Sequence, residues 1–312
     1  MSIALPEGST FQSVEHFGHS AWTITGRVRA NIADGEEQSY FLKVAFEDQG
    51  MIMLRGEYES SKVVYGVMND FLPKPYGFGR YKVQDPPTYF YLSEFVDMDV
   101  IKKPGSIEFT KERSPVESSK EPNPVEFTQR LAQLHKLSKS PTGKFGFAVP
   151  TCDGQVARTV DWEESWAVFF RKLLLETCRR DVETNGPWPE MERATTQIAD
   201  FVIPGLLGPL QENGKKLKPC IIHGDLWEGN MGIVKKTRKS ILFDVGSYYA
   251  HNEMELGHWR CEFSSVFSEK EYTDAYQENY PPAEPAEQFD DRNRLYSLQG
   301  LSTTVLAIRK AI

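Results

Sequence analysis

The most informative part of this sequence reads Cys220-Ile-Ile-His-Gly-Asp-Leu-Trp-Glu-Gly-Asn230, and Ile241-Leu-Phe-Asp244 follows it closely. Each stretch begins with the short apolar run of a buried strand and ends in polar residues. We expect a hairpin over residues 231–236 to return the chain between the two strands. Asp225 and Asn230 would then lie in a tight loop beside Asp244. Because Mg²⁺ binds a few protein oxygens and completes its shell with water and phosphate oxygens, this arrangement predicts a magnesium site.

A second pair of charged residues stands earlier in the chain. Alternating apolar residues predict strands over residues 22–32 and 38–46, and Lys43 lies on the face of the second strand that is opposite its apolar stripe. Residues 51–68 have helical spacing, which places Glu57 on the apolar face of that helix. A carboxylate that points inwards needs a cation. The sequence therefore predicts a Lys43–Glu57 ion pair, and a hydrated Glu57 at the margin of the stripe is the alternative.

These charged residues occur in the order that kinases use. In a kinase, a His-x-Asp-x₄-Asn loop supplies the base and one metal ligand, and a later Asp supplies the other. His223, Asp225 and Asn230 match that loop, and Asp244 follows it. The sequence therefore predicts an α+β, bilobal protein-kinase-like fold. We expect a small N-terminal lobe with an antiparallel β-sheet and one helix, and a larger, mainly helical C-terminal lobe.

ATP is expected to bind between the lobes. Lys43 would clamp its α- and β-phosphates. An aromatic strand runs into Glu94-Phe95-Val96, the expected hinge, where the Glu94 carbonyl and the Val96 N–H could bond the adenine. No full Gly-x-Gly-x-x-Gly is present, so the loop around Gly18, which we place before the first strand, is the candidate cover for the phosphates.

The chain is predicted to divide into three parts. Residues 1–96 form the nucleotide-binding lobe and end in the hinge. Residues 97–124, rich in Pro, Lys, Glu and Ser, form a flexible insertion after it. Residues 125–312 form the catalytic and substrate-binding lobe.

The loop from His223 to Asn230 resembles the signature His-Gly-Asp-Leu-Trp-x-Gly-Asn of the fructosamine kinase family, which includes ketosamine-3-kinases and protein-ribulosamine 3-kinases. Residues 244–256 resemble the family's Asp-Pro-Ala-x-Tyr-Tyr-Gly-x-x-Glu-x-Asp-Leu segment. With shorter matches elsewhere, the resemblance covers nearly the whole chain. The chain departs from the pattern where Val245-Gly246 replaces Pro-Ala, where Ala250 replaces Gly, and where Glu255 replaces Asp.

The resemblance implies ATP-dependent phosphorylation of the 3-hydroxyl of a ketosamine (fructosamine, ribulosamine or psicosamine), which starts repair of the glycated amine. Asp225 would orient the hydroxyl in line with the γ-phosphate, while Asn230 and Asp244 hold Mg²⁺. Trp227 could stack on a sugar face, with Glu228 as a second substrate contact. A Trp227 that simply packs in the core is the alternative. His223 is expected to support the loop.

Composition excludes several other classes of protein. The 312 residues include 36 Lys plus Arg against 44 Asp plus Glu, a net charge of −8, whereas a nucleic-acid surface needs concentrated positive charge. We find no apolar run near the ~18 residues of a membrane span, no secretory signal and no CxxC pair among the four cysteines. We expect a cytoplasmic monomer that acts on small ketosamines or on glycated lysines of proteins.

Two alternative functions remain open at this point. Aminoglycoside- or choline-type phosphotransferases share the His-x-Asp-x₄-Asn loop, although their loops commonly lack the Leu-Trp-x-Gly filling. A pseudokinase would bind nucleotide without turnover, and the poor phosphate-covering loop favours it. The presence of Lys43, Asp225, Asn230 and Asp244 together counts against it.

Overall fold

The computed structural model describes residues 5–82, 85–101, 122–261 and 264–298. It has the predicted α+β architecture of two lobes with a cleft between them. Most of the predicted insertion lies outside the described residues. Within the described ranges, no helix combines the length and the apolar character needed to cross a membrane.

The N-terminal lobe is an antiparallel sheet of five strands in the order β1-β2-β3-β5-β4. The strands are β1 (Thr10–His16), β2 (Ile24–Asn31), β3 (Glu37–Phe46), β4 (Pro75–Arg80) and β5 (Thr88–Glu94). Tyr40 and Leu42 of β3 pack in an apolar cluster on one face. Helix α1 (Glu47–Val67) covers the other face, where Lys43 pairs in register with Tyr91 of β5. Lys43 is therefore enclosed between the sheet and the helix.

Strand β1 corrects one prediction. Gly18 was expected to precede the first strand, but β1 lies before it. Every residue of β1 is exposed, and a strand with no buried face needs no alternation of apolar and polar residues. Pairing of β1 with β2 makes the loop around Gly18 the connection between these two strands, rather than a segment before the first strand. The helix predicted from residue 51 also begins earlier, at Glu47.

Among the described residues, the C-terminal lobe contains most of the helices and three small sheets. The helices are α2 (Pro124–Leu137), α3 (Trp166–Asn185), α4 (Pro189–Gln197), α5 (Ile203–Leu207), α6 (Lys270–Asn279) and α7 (residues 289–298). A π-helical turn (Ile198–Val202) joins α4 to α5, and 3₁₀ turns span Gly208–Leu210, Glu228–Asn230, Asn252–Arg260 and Ala286–Gln288. The strands are β6 (Met98–Val100), β7 (Cys152–Asp153), β8 (Val156–Ala157), β9 (Cys220–Ile222), β10 (Met231–Val234), β11 (Ser240–Leu242) and β12 (Tyr248–Ala250).

Strand pairing places the two informative stretches side by side. β10 and β11 form the expected hairpin, and β6, which comes directly after the predicted hinge, pairs with β10. β9 pairs with β12, so the residues on both sides of the predicted catalytic loop (residues 223–230) are anchored in short sheets. A large apolar cluster lies beneath them, where the Phe127 ring of α2 stacks on Phe267 with centroids 4.9 Å apart.

The β7–β8 hairpin connects the two lobes. The Gln49 side chain of α1 donates a hydrogen bond of 2.6 Å to the carbonyl of Gln155 at the hairpin turn. A Cβ at Gly56 of α1 would lie 2.7 Å from the carbonyl oxygen of Pro150, so this helix position must be glycine for α1 to approach so closely. The hairpin therefore fixes the helix that carries Glu57.

Candidate active site

A cleft of about 770 Å³ lies between the lobes. Its walls include all the predicted site residues except His223 and Glu228. These lining residues are Gly18, Lys43, Glu57, Glu94, Phe95, Val96, Asp225, Trp227, Asn230 and Asp244. Residues from both halves of the chain, far apart in sequence, thus face one space.

Three charged groups meet at the centre of this cleft. The Lys43 ammonium lies 2.7 and 2.9 Å from the two carboxylate oxygens of Glu57 and also donates to the Asp244 carboxylate. Lys43 is only 7% exposed. Burial lowers the pKa of Lys43, but the charges of Asp244 and Glu57 outweigh it and raise that pKa above its ordinary value. Burial raises the pKa of Glu57, and the lysine opposes this shift. The ammonium is thus a fixed cation.

The catalytic loop is closed by its own side chains. The Asn230 amide nitrogen donates to the main-chain oxygen of Asp225 at 2.8 Å and to its carboxylate at 2.9 Å. The Asn230 N–H in turn donates to the Trp227 carbonyl at 2.9 Å. Since its amide nitrogen is used in the loop, the amide oxygen of Asn230 is the atom left for a cation.

His223 supports the loop from beneath and is fully buried. Its Nδ1 accepts from the Asp225 N–H at 3.2 Å, so the ring proton lies on Nε2, which contacts the Phe243 carbonyl at 2.9 Å. Burial lowers the pKa of His223, in keeping with a neutral ring. The ring ties the loop that carries Asp225 to the residue before Asp244.

Backbone conformation at two positions sets this geometry. Gly224 has φ = +84°, and a Cβ there would lie 2.4 Å from the carbonyl oxygen of Gly246. Asp244 itself has φ = +59°, a left-handed conformation that is uncommon outside glycine and costs energy. Strained backbone of this kind is concentrated at functional sites, where the surrounding contacts hold it.

Glu255 is a support that the sequence analysis noted only as a departure from a pattern. Its carboxylate is buried and accepts from the N–H groups of His223 and Gly224. His135 of α2 lies 3.5 Å from the same carboxylate and is 2.7 Å from the Tyr276 hydroxyl of α6. A buried acid next to apolar Leu256 was the available signal, because such a group requires donors.

Asp153 of the β7–β8 hairpin and Arg158, which directly follows the hairpin, were not predicted from the sequence. Single ligand atoms of Asp153, Asp225 and His258 lie within 4.8 Å of one another. Arg158 pairs with Asp153 at 3.0 Å. Burial and then the Asp153 charge raise the pKa of Asp225, while Arg158 and Asn230 oppose the rise. Neither residue belongs to a local sequence motif, so only the folded structure shows their place in the site.

Trp227 and Glu228 point in opposite directions. The Trp227 ring lies over Gly229, where a Cβ would come within 2.2 Å of it, and Trp227 lines the cleft. Glu228 is fully buried and accepts hydrogen bonds from the 264–266 segment instead. Glu228 therefore does not line the cleft, where the predicted substrate contact would need it. A 3₁₀ turn over Glu228–Asn230 rotates adjacent side chains away from one another.

The predicted hinge and the loop around Gly18 touch at one end of the cleft. The Phe17 ring meets Phe95 edge-on with centroids 4.8 Å apart, and the Arg27 guanidinium lies 4.4 Å from the Phe95 centroid. Gly18 next to Phe17 has φ = +80°. Glu94 donates its N–H to the Lys74 carbonyl at 2.8 Å, which ties the hinge to the residue before β4.

Comparison with known proteins decides the family. The model of the family described as fructosamine kinase matches residues 19–303. The chain belongs to the fructosamine kinase family. It is 30% identical to the "Probable ketoamine kinase" of Staphylococcus aureus over 54% of this chain and 56% of that protein. It is 28% identical to the chloroplastic protein-ribulosamine 3-kinase of Oryza sativa subsp. japonica over 80% of this chain and 62% of that protein.

The mouse ketosamine-3-kinase aligns with 25% identity over 92% of this chain and 87% of that protein. The matches to the S. aureus and rice proteins, in contrast, span less than two thirds of those relatives. A crystal structure named "putative fructosamine-3-kinase" from Thermobifida fusca superposes with a TM-score of 0.65, covering 96% of this chain and 90% of that chain at 20% identity.

An aminoglycoside phosphotransferase in a ternary complex with AMP-PNP and hygromycin B also superposes, with a TM-score of 0.55 over 96% of this chain and 92% of that chain. At 10% identity, this likeness concerns the fold alone. Together with the T. fusca structure, it confirms the predicted protein-kinase-like fold. The family match does not favour the aminoglycoside- or choline-type alternative.

Proposed function

We propose that the protein transfers the γ-phosphate of ATP to the 3-hydroxyl of a ketosamine. The observation that carries the proposal is the convergence of a lysine–glutamate pair, a loop aspartate with its asparagine, and a second aspartate on one cleft. Phosphoryl transfer needs mainly positioning and electrostatic stabilisation, and these groups supply both.

The donor set fits Mg²⁺. Asn230 has its amide oxygen available, and the Asp244 carboxylate, whose side chain is 44% exposed, faces the cleft. Both offer the hard oxygen atoms that Mg²⁺ prefers, in the small number that leaves room for phosphate oxygens. Bound Mg²⁺ would neutralise charge that develops on the phosphate oxygens.

The chain's own residues would act on the nucleotide and the alcohol. Lys43, held by Glu57, offers a fixed cation to the phosphates once the nucleotide replaces its contact with Asp244. Asp225 lies in a loop held by Asn230 and His223, and it would accept the hydroxyl proton.

The substrate class is supported by the relatives and by one side chain. The mouse and rice relatives are named ketosamine-3-kinase and protein-ribulosamine 3-kinase. Trp227 lines the cleft two residues after Asp225, where an aromatic face can cover the apolar side of a sugar ring. We infer that the substrate is a fructosamine, ribulosamine or psicosamine, free or on a protein lysine, and that phosphorylation begins its removal.

The test measures ADP release with Mg·ATP and each of the three ketosamines, free and on a glycated protein, and locates the new phosphate by ³¹P NMR. Asp225→Asn should lower kcat at least about 10³-fold while Mg·ADP binding persists. Turnover with choline or an aminoglycoside but no ketosamine would overturn the substrate class. Nucleotide binding without turnover on any acceptor would favour the pseudokinase. The cytoplasmic location and monomeric state stay predictions, which cell fractionation and light scattering test.

A further inference from the structure

We propose that Arg158 is a positioning residue that holds the two halves of the active site in register, and that Gly246 is the position that makes room for it. The inference rests on the proposed function, since register matters here for phosphoryl transfer. Arg158 lies on the segment after the β7–β8 hairpin, 66 residues before Gly224. It is 4% exposed and touches neither the phosphate clamp nor the predicted metal ligands.

The contacts of the guanidinium carry the proposal. Nη2 donates to the Gly224 carbonyl at 2.7 Å, directly before Asp225. Nη1 donates to the carbonyls of Gly246 at 3.2 Å and Cys152 at 2.9 Å. The Asp153 carboxylate forms an ion pair with Nη2 at 3.0 Å. The rigid fork of an arginine suits three carbonyls and a carboxylate, and lysine could not reach all four groups at once.

These acceptors belong to three separate segments. Gly224 lies in the catalytic loop, Gly246 follows Asp244, and Cys152 belongs to the hairpin, which also contacts α1 through Gln155. The Arg158 side chain thus links the loop of Asp225 to the segment that follows Asp244. Through the hairpin, it also links both to α1, the helix that carries Glu57.

Gly246 explains one departure from the family pattern, which has alanine at this position. A Cβ at Gly246 would lie 2.8 Å from Arg158 Nη1 and 2.4 Å from the Cys152 carbonyl oxygen. The second contact involves backbone, which cannot turn aside. In this chain, the absent Cβ lets the hairpin and the guanidinium close on residues 224 and 246.

Arg292 offers a matched control. It is also buried, pairs with a carboxylate, Glu253, and donates to two backbone carbonyls, those of Pro285 and Ala283. None of these contacts touches the catalytic loop. Arg158→Met and Arg292→Met should both lower the free energy of unfolding, because each leaves a buried carboxylate unpaired.

Of the two arginine replacements, only Arg158→Met should lower the catalytic rate. Arg158→Met should lower kcat roughly 10²-fold with KM for ATP changed less than about threefold, because small misplacements of reacting groups cost rate rather than nucleotide affinity. The kcat of Arg158→Lys should lie between those of the parent protein and Arg158→Met. Gly246→Ala should lower kcat about tenfold by displacing the guanidinium. Arg292→Met should leave kcat within about threefold of the parent protein.

The double variant Asp153→Asn/Arg158→Met separates positioning from stability. Because neither charge is then left unpaired, the double variant should regain much of the unfolding free energy that Arg158→Met loses, but its kcat should stay low. Recovery of both quantities, or an equal loss of kcat in Arg292→Met, would overturn the proposal.

A readout independent of turnover is amide hydrogen exchange. Exchange at residues 223–226 and 244–247 should rise in the double variant and not in Arg292→Met, and unchanged exchange there would also overturn the proposal. Failure of the proposed function would show differently, as a parent protein that phosphorylates no ketosamine while these exchange differences persist.

Discussion

Replacement of Glu228 tests whether this residue is structural or binds substrate. Its Oε1 accepts from the Ser265 hydroxyl at 2.7 Å, from the Ser265 N–H and from the Val266 N–H at 3.3 Å, and its Oε2 accepts from the Ser264 hydroxyl at 3.0 Å. Burial alone would raise the pKa of Glu228, but these donors together lower it. The carboxylate is therefore charged in the folded protein, and it holds the 264–266 segment against the catalytic loop.

The magnitude follows from which donors can find another partner. In Glu228→Ala, the two serine hydroxyls can rotate, but the two backbone N–H groups cannot. Each unsatisfied donor costs about 1–3 kcal/mol, so with the lost packing we expect a loss of about 3–6 kcal/mol in the free energy of unfolding. Glu228→Gln can keep its oxygen toward the backbone donors and turn its amide toward the Ser264 hydroxyl, which limits the loss to about 1–2 kcal/mol.

Urea unfolding measures the loss, and steady-state kinetics below the transition measure KM for the ketosamine. We expect KM to change less than about threefold in Glu228→Gln, whereas Trp227→Ala should raise it at least about tenfold with little change in stability. A structural role for Glu228 would be refuted if the free energy of unfolding of Glu228→Ala stayed within about 1 kcal/mol of the parent protein's while its KM for ketosamine rose about tenfold.

Other predictions concern the lysine, the metal and one buried histidine. Lys43→Met should lower kcat about 10²–10³-fold in the ADP-release assay, and unchanged turnover would remove Lys43 from the mechanism. Chelation by EDTA should abolish turnover and added Mg²⁺ should restore it; activity that survives chelation would argue against a metal requirement. Burial lowers the pKa of His251 from 6.5 to about 4. As pH falls, the imidazole of His251 is therefore protonated in the unfolded chain before it is protonated in the folded protein. The contribution of the neutral ring to the free energy of unfolding is fully present above pH 6.5 and is lost as pH falls to 4. The loss is about 3 kcal/mol, and His251→Gln should lack it; parallel pH curves of unfolding free energy in urea would contradict this.

Much of the cleft could be predicted because its features are local or periodic. Asp225 and Asn230 are five residues apart, so their spacing nearly fixes their hydrogen bond once the loop forms. Lys43 and Glu57 follow from the strand and helix periods, because a charge on an apolar stripe must find a partner. The order of these residues along the chain was enough to predict a protein-kinase-like fold.

Only the tertiary structure decided which polar groups support the site. Arg158 reaches Gly224 across 66 residues, and Glu255 reaches the same residue across 31. Apolar periodicity reports which face of an element is buried, but no local pattern states which distant carbonyl a buried arginine will meet. Glu228 shows the same limit, because its neighbours Trp227 and Gly229 line the cleft while a single 3₁₀ turn aims its carboxylate into the protein.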